Sequence, residues 1–420
     1  MVYVLSIDGR PLMPCTPAKA RHLLGQGKAI VAKTFSRDVF VIKLTFDVTG
    51  YKEDITLGVD AGSKTIGLSA SSERREYFAA EVVVRNDVTK LLAARREARR
   101  TRRSRLRYRA PRFDNRIHSK NKGWLAPSVE NRISTHIRMV GFVCSILPIG
   151  RIVMETASFD IQKIGNPEIE GKGYQRGVQL GFWNVREYVL WRDGHKCRNC
   201  GGKTKDDVLE VHHLIQRKDC GSDRPDNLIT LCKTCHDACH KGAVKLNVGK
   251  PGGGYRHEAF MDIMRWTTYN RLKALYGDRV SMTYGYITKN TRITHDLEKS
   301  HRIDALCIAR HPEARRLPEV LCFKKVRSHN RRLYKSNILK GCRLKANQAP
   351  RFVFGFKLWD KVLFDGRTCF IAGRRSSGAF AIKTLEGDRI SDSVPYRKLR
   401  LVEPAGTILT ERRRPDSSHA

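Results

Sequence analysis

Acidic side chains and long apolar runs are what this sequence has least of. Its 420 residues include 42 Asp and Glu against 80 Lys and Arg, so the formal net charge is +38. Such an excess is rare in enzymes of small molecules and predicts a polyanionic partner, most commonly nucleic acid. No apolar run approaches the roughly 18 residues of a membrane-spanning helix. The first residues, MVYVLSIDGRPLMP, lack the basic start of a secretory signal, which predicts an intracellular protein.

Cysteine, in contrast, is well represented, and four of the 12 cysteines form two C-x-x-C pairs. The pairs are Cys197/Cys200 and Cys232/Cys235, with 31 residues between Cys200 and Cys232. Paired knuckles at this spacing are typical of one tetrahedral zinc ion held by four thiolates in a reducing compartment. The sequence therefore predicts a structural Zn²⁺ site, and the other eight cysteines receive no role.

Histidines lie around the second cysteine pair. His212 and His213 lie in EVHHL, a predicted strand, Asn227 follows a turn, and His236 and His240 share one face of a short helix. A strand, a loop and a helix around one ion is the arrangement of the ββα-metal, or HNH, nucleases. We assign His213 as the general base, Asn227 as a brace for its loop, and the other three histidines as ligands of a catalytic divalent ion. The alternative is a purely structural zinc domain, in which the histidines are spare ligands or core residues.

Three acidic residues occupy corresponding places in segments far apart along the chain. Asp60 ends the apolar strand of LGVDAGSKTIGL, Glu155 ends that of RIVMETASF, and KSHRIDALCIA places His301 and Asp304 one turn apart on a helix. Any one of these carboxylates could be a cap or a turn former. Together they match an RNase H-like, RuvC-type site, in which carboxylates from two strands and a helix gather two Mg²⁺ ions. We predict that Asp60 bridges the metals, that Glu155 and Asp304 each hold one, and that His301 assists the water or the phosphate.

An arginine-rich segment separates the acidic pieces. Between Arg95 and Arg112 there are ten arginines and one acid, Glu97, and the composition favours a helix up to Pro111. Charge on every face does not suit an ordinary amphipathic surface helix, and phosphate groups would relieve the repulsion. A disordered basic tail is the alternative, although well-patterned segments lie on both sides. The predicted nucleic-acid contacts are Arg95, Arg96, Arg99, Arg100, Arg102, Arg103, Arg105, Arg107, Arg109 and Arg112.

The remaining segments predict an α/β protein of several domains. Residues 1–50 alternate short strands with a basic helix, and residues 54–84 form a three-stranded meander that opens a mixed sheet. VSMTYGYIT is predicted as a strand and HDLEKSHRIDALCIAR as a helix. The tail has nine Lys or Arg and no acid between Leu321 and Lys345, and its later strands with Gly turns predict a small β-barrel.

The order of these motifs resembles one known family. GRPLMP (9–14), METASFDIQKIGNPEI followed by YQRG and VREYVL, and the C-terminal LWDKV and GRRSSGAF are further motifs that carry the resemblance. With a split RuvC-like core, an arginine-rich bridge and an HNH insert, the chain resembles the IscB family of transposon-associated, RNA-guided DNA endonucleases, relatives of the type II CRISPR effector nucleases. His212 stands where the CRISPR effectors carry Asp. The implied domains are an N-terminal PLMP domain (1–53), RuvC-I (54–86), the bridge helix (87–115), RuvC-II (116–165), a linker (166–185), HNH with the zinc knuckle (186–248), RuvC-III (249–315) and a C-terminal region that contacts RNA and the target-adjacent motif (316–420).

The resemblance implies an RNA-guided, double-stranded DNA endonuclease. A structured guide RNA, the ωRNA, would pair with one DNA strand, which HNH would cut, while the RuvC site would cut the displaced strand. The bridge helix would lie against the guide. The implied cofactors and partners are Mg²⁺ at both nuclease sites, Zn²⁺, guide RNA and target DNA, in a monomeric ribonucleoprotein of the prokaryotic cytoplasm associated with the nucleoid.

Two other functions are compatible with the residues. A protein-only HNH endonuclease of the homing or restriction type would use the arginine helix on DNA directly, but it leaves the three acids unexplained. A catalytically inactive RNA- or DNA-binding protein would have kept the fold and lost the chemistry.

Overall fold

Two compact units make up the protein in this computed structural model. One comprises Met1–Ala157 and Met261–Ala420, and the other comprises Ser158–Phe260, where the sequence predicted an inserted domain. The structure describes residues 1–32, 34, 36–48, 51–106, 123–156, 182, 184–204, 206–216, 223–246, 256–327, 334–336, 344–346 and 350–414.

The described part of the chain contains the following helices and strands. The helices are α1 (Pro17–Gly25), α2 (Val88–Leu106), α3 (Pro127–Ile146), α4 (Val185–Arg192), α5 (Lys233–His240), α6 (Arg256–Tyr276), α7 (Gly285–Thr294) and α8 (His301–Ile308). The strands are β1 (Val2–Leu5), β2 (Pro11–Cys15), β3 (Ala29–Ala32), β4 (Val41–Leu44), β5 (Ile55–Ala61), β6 (Thr65–Ser71), β7 (Glu76–Val83), β8 (Ile149–Thr156), β9 (Leu209–His213), β10 (Leu228–Cys232), β11 (Val280–Tyr284), β12 (Val320–Lys325), β13 (Tyr334–Ser336), β14 (Leu344–Ala346), β15 (Lys361–Phe364), β16 (Arg367–Arg374), β17 (Ala379–Lys383), β18 (Arg389–Pro395), β19 (Arg400–Glu403) and β20 (Ile408–Arg413).

A seven-stranded mixed sheet in the order β11-β8-β5-β6-β7-β12-β20 forms the centre of the first unit. Strands β5, β6 and β7 are the predicted antiparallel meander, and β8 and β11 run parallel to β5. Residues of β5 to β7 such as Leu57, Leu68 and Phe78 are fully buried, since apolar and small side chains point to both faces of the sheet. Because β5 and β8 are parallel neighbours, their carboxyl ends lie at the same edge of the sheet.

Helix α8 lies directly on this sheet because glycines lie beneath it. A Cβ on Gly58 would be 1.9 Å from the Ala305 carbonyl oxygen, and a Cβ on Gly67 would be 1.8 Å from the His301 carbonyl oxygen. Any other residue would push the helix away, so the two glycines set the close approach of backbone to backbone. The first turn of α8 is thereby held beside the end of β5.

Two predicted elements differ from the structure. The predicted strand VSMTYGYIT ends at Tyr284, and Gly285 begins α7. The helix predicted over HDLEKSHRIDALCIAR begins only at His301, where the Ser300 hydroxyl accepts a hydrogen bond from the Ile303 N–H at 3.3 Å. The left-handed backbone of Asp296, with φ of 48°, interrupts any helix through that segment. In the first place the chain passes directly from strand to helix, and in the second a turn divides a pattern that is continuous in sequence.

Smaller sheets form the two ends of the first unit. The N-terminal sheet has the order β2-β1-β4-β3 and packs its apolar face with α1, in agreement with the predicted α/β module. The C-terminal region contains a five-stranded antiparallel sheet in the order β18-β17-β16-β15-β19, with its own apolar core. Five strands are thus present where the sequence predicted a small β-barrel, and closure into a barrel stays a prediction.

The inserted unit is built on the β9–β10 hairpin. Its strands pair antiparallel from Leu228 with His213 to Cys232 with Leu209. Along the chain, α4 precedes the hairpin and α5 follows it. The unit is small, and its apolar cluster contains Cys197, Cys232 and Cys235 beside Ile229 and Leu231. In the part of the chain that the structure describes, no helix is long and apolar enough to cross a membrane.

Candidate functional site

Four cysteine sulfurs converge in the inserted unit. The Sγ atoms of Cys197, Cys200, Cys232 and Cys235 all lie within 4.8 Å of one another. One pair precedes β9, and the other lies where β10 ends and α5 begins, so the hairpin joins the two knuckles. This is the donor set that the sequence predicted for a tetrahedral structural zinc ion.

Polar neighbours and mutual repulsion act on these thiols in opposite directions. A hydrogen bond with the Thr204 hydroxyl, at 3.2 Å, lowers the pKa of Cys200 to about 5. The Asn199 amide, 3.3 Å from the sulfur, lowers the pKa of Cys235, but burial and the neighbouring thiols outweigh it and raise that pKa to about 12. A thiolate at one position thus opposes ionisation at the next, and a central divalent cation would remove this penalty. The four side chains fit a zinc ion on these grounds.

Three imidazoles converge beside the cysteines. A nitrogen from each of His212, His236 and His240 lies within 4.8 Å of the others, and the Nε2 atoms of His236 and His240 are 3.2 Å apart. Burial and the neighbouring histidines lower the pKa of His212 to about 4, so its ring is neutral at physiological pH. Neutral imidazole is the form that binds a metal. The group fits a divalent cation, and three nitrogen donors suit a transition ion better than Mg²⁺, which prefers oxygen.

A carboxylate that sequence reasoning missed orients one of these rings. Glu210 Oε2 lies 2.6 Å from His236 Nδ1. This bond leaves Nε2 of His236 as its metal-binding nitrogen, the usual arrangement in which an outer carboxylate orients a ligand histidine. Glu210 and His212 are two residues apart on β9 and so point to the same face, which is a signal that the sequence contained.

His213 lies at the end of β9 with two supports. Its Nε2 is 2.8 Å from Asp223 Oδ1, a partner that sequence reasoning also missed. Asn227 makes two hydrogen bonds with Ile215, accepting from its N–H at 2.9 Å and donating to its carbonyl at 3.0 Å. The Asn227 amide therefore ties down the chain just after His213, in the geometry expected of a brace.

The predicted acidic residues lie together in the first unit. Asp60 and Glu155 follow the paired residues Val59 and Met154 of the parallel strands β5 and β8, so they are neighbours at the same sheet edge. The Asp60 carboxylate lies 2.6 Å from His301 Nδ1, at the start of α8. The charge of Asp60 contributes to raising the pKa of both Glu155 and Asp304.

Burial and repulsion disfavour ionisation of Glu155 and Asp304. Burial, and then the Asp60 charge, raise the pKa of Asp304, and burial also raises the pKa of Glu155. The hydrogen bond with Asp60 raises the pKa of His301. Such clustered acids with raised pKa values are typical of a site that holds cations, because a bound cation restores the charged forms.

Two arginines that sequence reasoning missed pair with these acids. Arg265 of α6 donates to Glu155 at 3.0 Å and to the Ala61 carbonyl at 3.1 Å, and Arg292 of α7 lies 3.0 Å from Asp304. The carboxylate oxygens of Asp60, Glu155 and Asp304 do not converge within 4.8 Å of one another in this arrangement. The carboxylates are hard oxygen donors suited to Mg²⁺, and the arginines would lie beside any phosphate held there.

The arginine-rich segment forms α2 as far as Leu106. Arg95, Arg96 and Arg100 are exposed on this helix. The side chains of Arg99, Arg102, Arg103 and Arg105 lie outside the described part of the helix, and Arg107, Arg109 and Arg112 lie outside the described residues altogether.

Comparison with known families matches two segments of the chain. Residues 2–177 match the family described as RRXRR protein, and residues 197–242 match the family described as HNH endonuclease. The second match covers all four knuckle cysteines and His212, His213, His236 and His240. The predicted HNH endonuclease domain is thereby confirmed, and the two matches in this order confirm the resemblance drawn from the sequence.

One curated relative and several solved structures are similar to parts of the chain. The type IV methyl-directed restriction enzyme EcoKMcrA of Escherichia coli K12 is 34% identical over 62 residues, which are 13% of this chain and 22% of that enzyme. Streptococcus thermophilus Cas9 in complex with the GGAA PAM is 15% identical with a TM-score of 0.32, over 51% of this chain and 30% of that one. The type II-C Cas9 from Actinomyces naeslundii has a TM-score of 0.16 at 15% identity, over 46% and 33% of the two chains. Both TM-scores are low, and no function is inferred from these two structures.

Proposed function

We propose that this chain, an IscB-like nuclease with an RRXRR N-terminal part and an HNH endonuclease domain, is an RNA-guided endonuclease of double-stranded DNA. The HNH site would cut the guide-paired target strand, and the acidic RuvC-type site would cut the displaced strand. The guide RNA, the target DNA and the metal ions, as partners of the protein, are part of this proposal.

The observation that carries the proposal is the meeting of Asp60, Glu155 and Asp304 in one site. These residues come from two strands and a helix of the first unit, separated in sequence by α2 and by the inserted unit. An enzyme that cut DNA with HNH alone would need no such assembly. A second hydrolytic centre would allow a single chain to cut both strands.

At the HNH site, His213 would accept a proton from the attacking water. Asp223 orients its ring from Nε2, and Asn227 holds the following loop in place. His212, His236 and His240 would hold the divalent cation, which when bound supplies positive charge opposite the phosphate and the leaving oxygen. Glu210 keeps His236 in its ligand orientation.

At the acidic site, Asp60, Glu155 and Asp304 would hold two Mg²⁺ ions, which when bound would supply positive charge next to the scissile phosphate. His301, hydrogen-bonded to Asp60, is placed to assist the water or the scissile phosphate. Arg265 and Arg292 lie where their guanidinium groups would contact phosphate oxygens once the carboxylates bind cations. The proposed domain division, with α2 against the guide and residues 316–420 on RNA and the flanking motif, follows from the same resemblance.

Strand-resolved cutting of a supercoiled plasmid tests the two roles together. With guide RNA present, His213→Ala should nick only the displaced strand, because its proton acceptor is lost and a general base contributes about 10²–10⁴-fold. Asp60→Ala should nick only the target strand, and each variant is the matched control for the other. Linear product from either variant, or loss of both cuts together, would contradict the assignment.

A protein-only HNH endonuclease is the second candidate, and the partial match to a restriction enzyme favours it. In that case cutting should survive complete ribonuclease digestion of the purified protein, and Asp60→Ala should leave it unchanged. An RNA-guided enzyme should lose both cuts after the same digestion.

A further inference from the structure

Two exposed tyrosines flank the acidic site where β11 passes into α7. Tyr284 is the last residue of β11 and Tyr286 the second of α7, with 36% and 66% of their surfaces exposed. Their ring centroids are 6.1 Å apart, and the ring planes are within 9° of parallel. The pair thus presents a continuous aromatic surface to solvent.

Gly285 connects this surface to the acidic site. It lies between the two tyrosines, and a Cβ on it would be 3.3 Å from Glu155 Oε1. Thr283 pairs with Glu155 and Tyr284 with Thr156, so the backbone before Gly285 runs beside the end of β8. Consecutive Cα atoms are about 3.8 Å apart, so the backbone of each tyrosine lies one such step from the residue that contacts Glu155.

Lys289 adds positive charge beside the aromatic pair, while Arg292, the other cation of this segment, is paired with Asp304. The segment VSMTYGYITKNTRIT, which forms β11 and α7, contains Lys289 and Arg292 and no Asp or Glu. Lys289 is exposed and lies three residues after Tyr286 on α7, hence on the same face of the helix. An aromatic surface beside a cation suits a polyanion whose flat bases are accessible.

We propose that Tyr284 and Tyr286 form a stacking platform for unpaired bases of the single DNA strand that enters the acidic site. Base–aromatic stacking does not depend on sequence, because every base has a π-face, and it is open only to bases that are not already stacked within a duplex. Lys289 contacts the backbone of the same strand. This inference rests on the proposed function, since the strand cut at the acidic site is the displaced one.

The test uses the full chain with its guide RNA and a DNA target whose displaced strand carries 2-aminopurine near the cut. Tyr286→Ala should reduce quenching of the 2-aminopurine and raise the DNA concentration needed for half-maximal displaced-strand nicking about 10-fold, the size expected for loss of one stacked base. The maximal rate should change little, and target-strand cutting should stay at the wild-type rate.

Two further variants act as controls. Tyr286→Phe keeps the ring and should behave as wild type, while Tyr51→Ala removes a tyrosine that is 77% exposed elsewhere in the same unit and should have no effect. Unchanged quenching and nicking in Tyr286→Ala, equal slowing of both strands, or loss of bound RNA would overturn the platform. Failure of the proposed function has a different signature, because wild-type protein with RNA would then cut neither strand.

Discussion

His136 shows at the residue scale how the core near the acidic site constrains the protein. It is fully buried in α3, and its Nδ1 donates to the Arg132 carbonyl at 2.8 Å. Burial lowers the pKa of His136 to about 4, against an ordinary value of 6.5, although Asp60 opposes the shift. Its Nε2 meets no hydrogen-bond partner among the described residues, so a proton there would find no acceptor.

We therefore expect His136 to weaken the fold as pH falls. The unfolded chain binds a proton at His136 below about pH 6.5 and the folded chain only below about pH 4, so stability is complete above 6.5 and declines between those values. At about 1.4 kcal/mol per pH unit, the loss reaches about 3 kcal/mol at most. Urea unfolding at pH 7 and pH 5 should show a smaller loss for His136→Gln than for wild type. Raised pKa values at acids such as Glu155 act in the opposite sense and are common to both proteins, so equal pH dependence would exclude this role for His136.

At the scale of the element, the β9–β10 hairpin joins the zinc knuckle to the three imidazoles. Cys232 and His212 lie on the two strands of one hairpin, and Cys235 and His236 are adjacent residues of α5. The apolar cluster of this unit is small and contains three of the four cysteines. We infer that the zinc ion stabilises the hairpin and that the hairpin positions the imidazoles.

Loss of one thiolate should therefore abolish one cut and spare the other. Cys197→Ser should reduce the zinc content measured by elemental analysis and abolish target-strand cutting, while the displaced strand is still nicked. Cys239→Ser is the matched control, because Cys239 lies in the same apolar cluster but outside the four converging sulfurs, and it should keep the zinc. Full target-strand cutting by a zinc-free Cys197→Ser protein would refute the link.

A second element-scale prediction concerns α8 on the central sheet. Gly67→Ala would bring a methyl group against the His301 carbonyl oxygen and move the helix, at a cost of about 1–3 kcal/mol or more. Because α8 carries His301 and Asp304, displaced-strand nicking should fall and thermal stability should drop. Gly25→Ala, which adds a methyl with nothing within 4 Å at the end of α1, should change neither. Displaced-strand nicking by Gly67→Ala at the wild-type rate would show that α8 accommodates the added methyl group without displacement of His301 and Asp304.

At the scale of the whole molecule, the net charge of +38 requires neutralisation that the protein does not supply itself. The exposed arginines of α2 are part of this excess, and phosphates are the natural counter-charge. A structured RNA would offer many phosphates at once, in keeping with a chain of 420 residues that carries two candidate nuclease sites.

Sequencing of the RNA that co-purifies with the protein tests this directly. When the chain is expressed together with the DNA that flanks its coding sequence, we expect one defined, long RNA. Arg95→Gln/Arg96→Gln should weaken its retention and lower the slope of affinity against salt by about two. Arg74→Gln/Arg75→Gln, which removes the same charge at the turn between β6 and β7, should affect retention less. Heterogeneous short RNA, or equal effects of the two pairs, would argue against a guide held by α2.

The accuracy of sequence reasoning varied with the distance between the residues concerned. The four cysteines converge in the structure, as do His212, His236 and His240, because C-x-x-C and an i, i+4 pair are local geometry, and their roles as metal ligands stay predictions. Glu210, Asp223, Arg265 and Arg292 were missed. All four contact a partner at least ten residues away, and only Glu210, two residues before His212 on β9, had a signal in its own neighbourhood.

The sequence alone determined which chemistry is present: thiolates and imidazoles at metal-binding spacings, acids at the ends of apolar strands, and a large positive charge. Tertiary structure decided which of these groups meet. The parallel register of β5 with β8 makes Asp60 and Glu155 neighbours, and the glycines under α8 bring His301 and Asp304 to them. Spacing within a few residues is set by backbone geometry, whereas approach across a sheet depends on packing that only the folded chain creates.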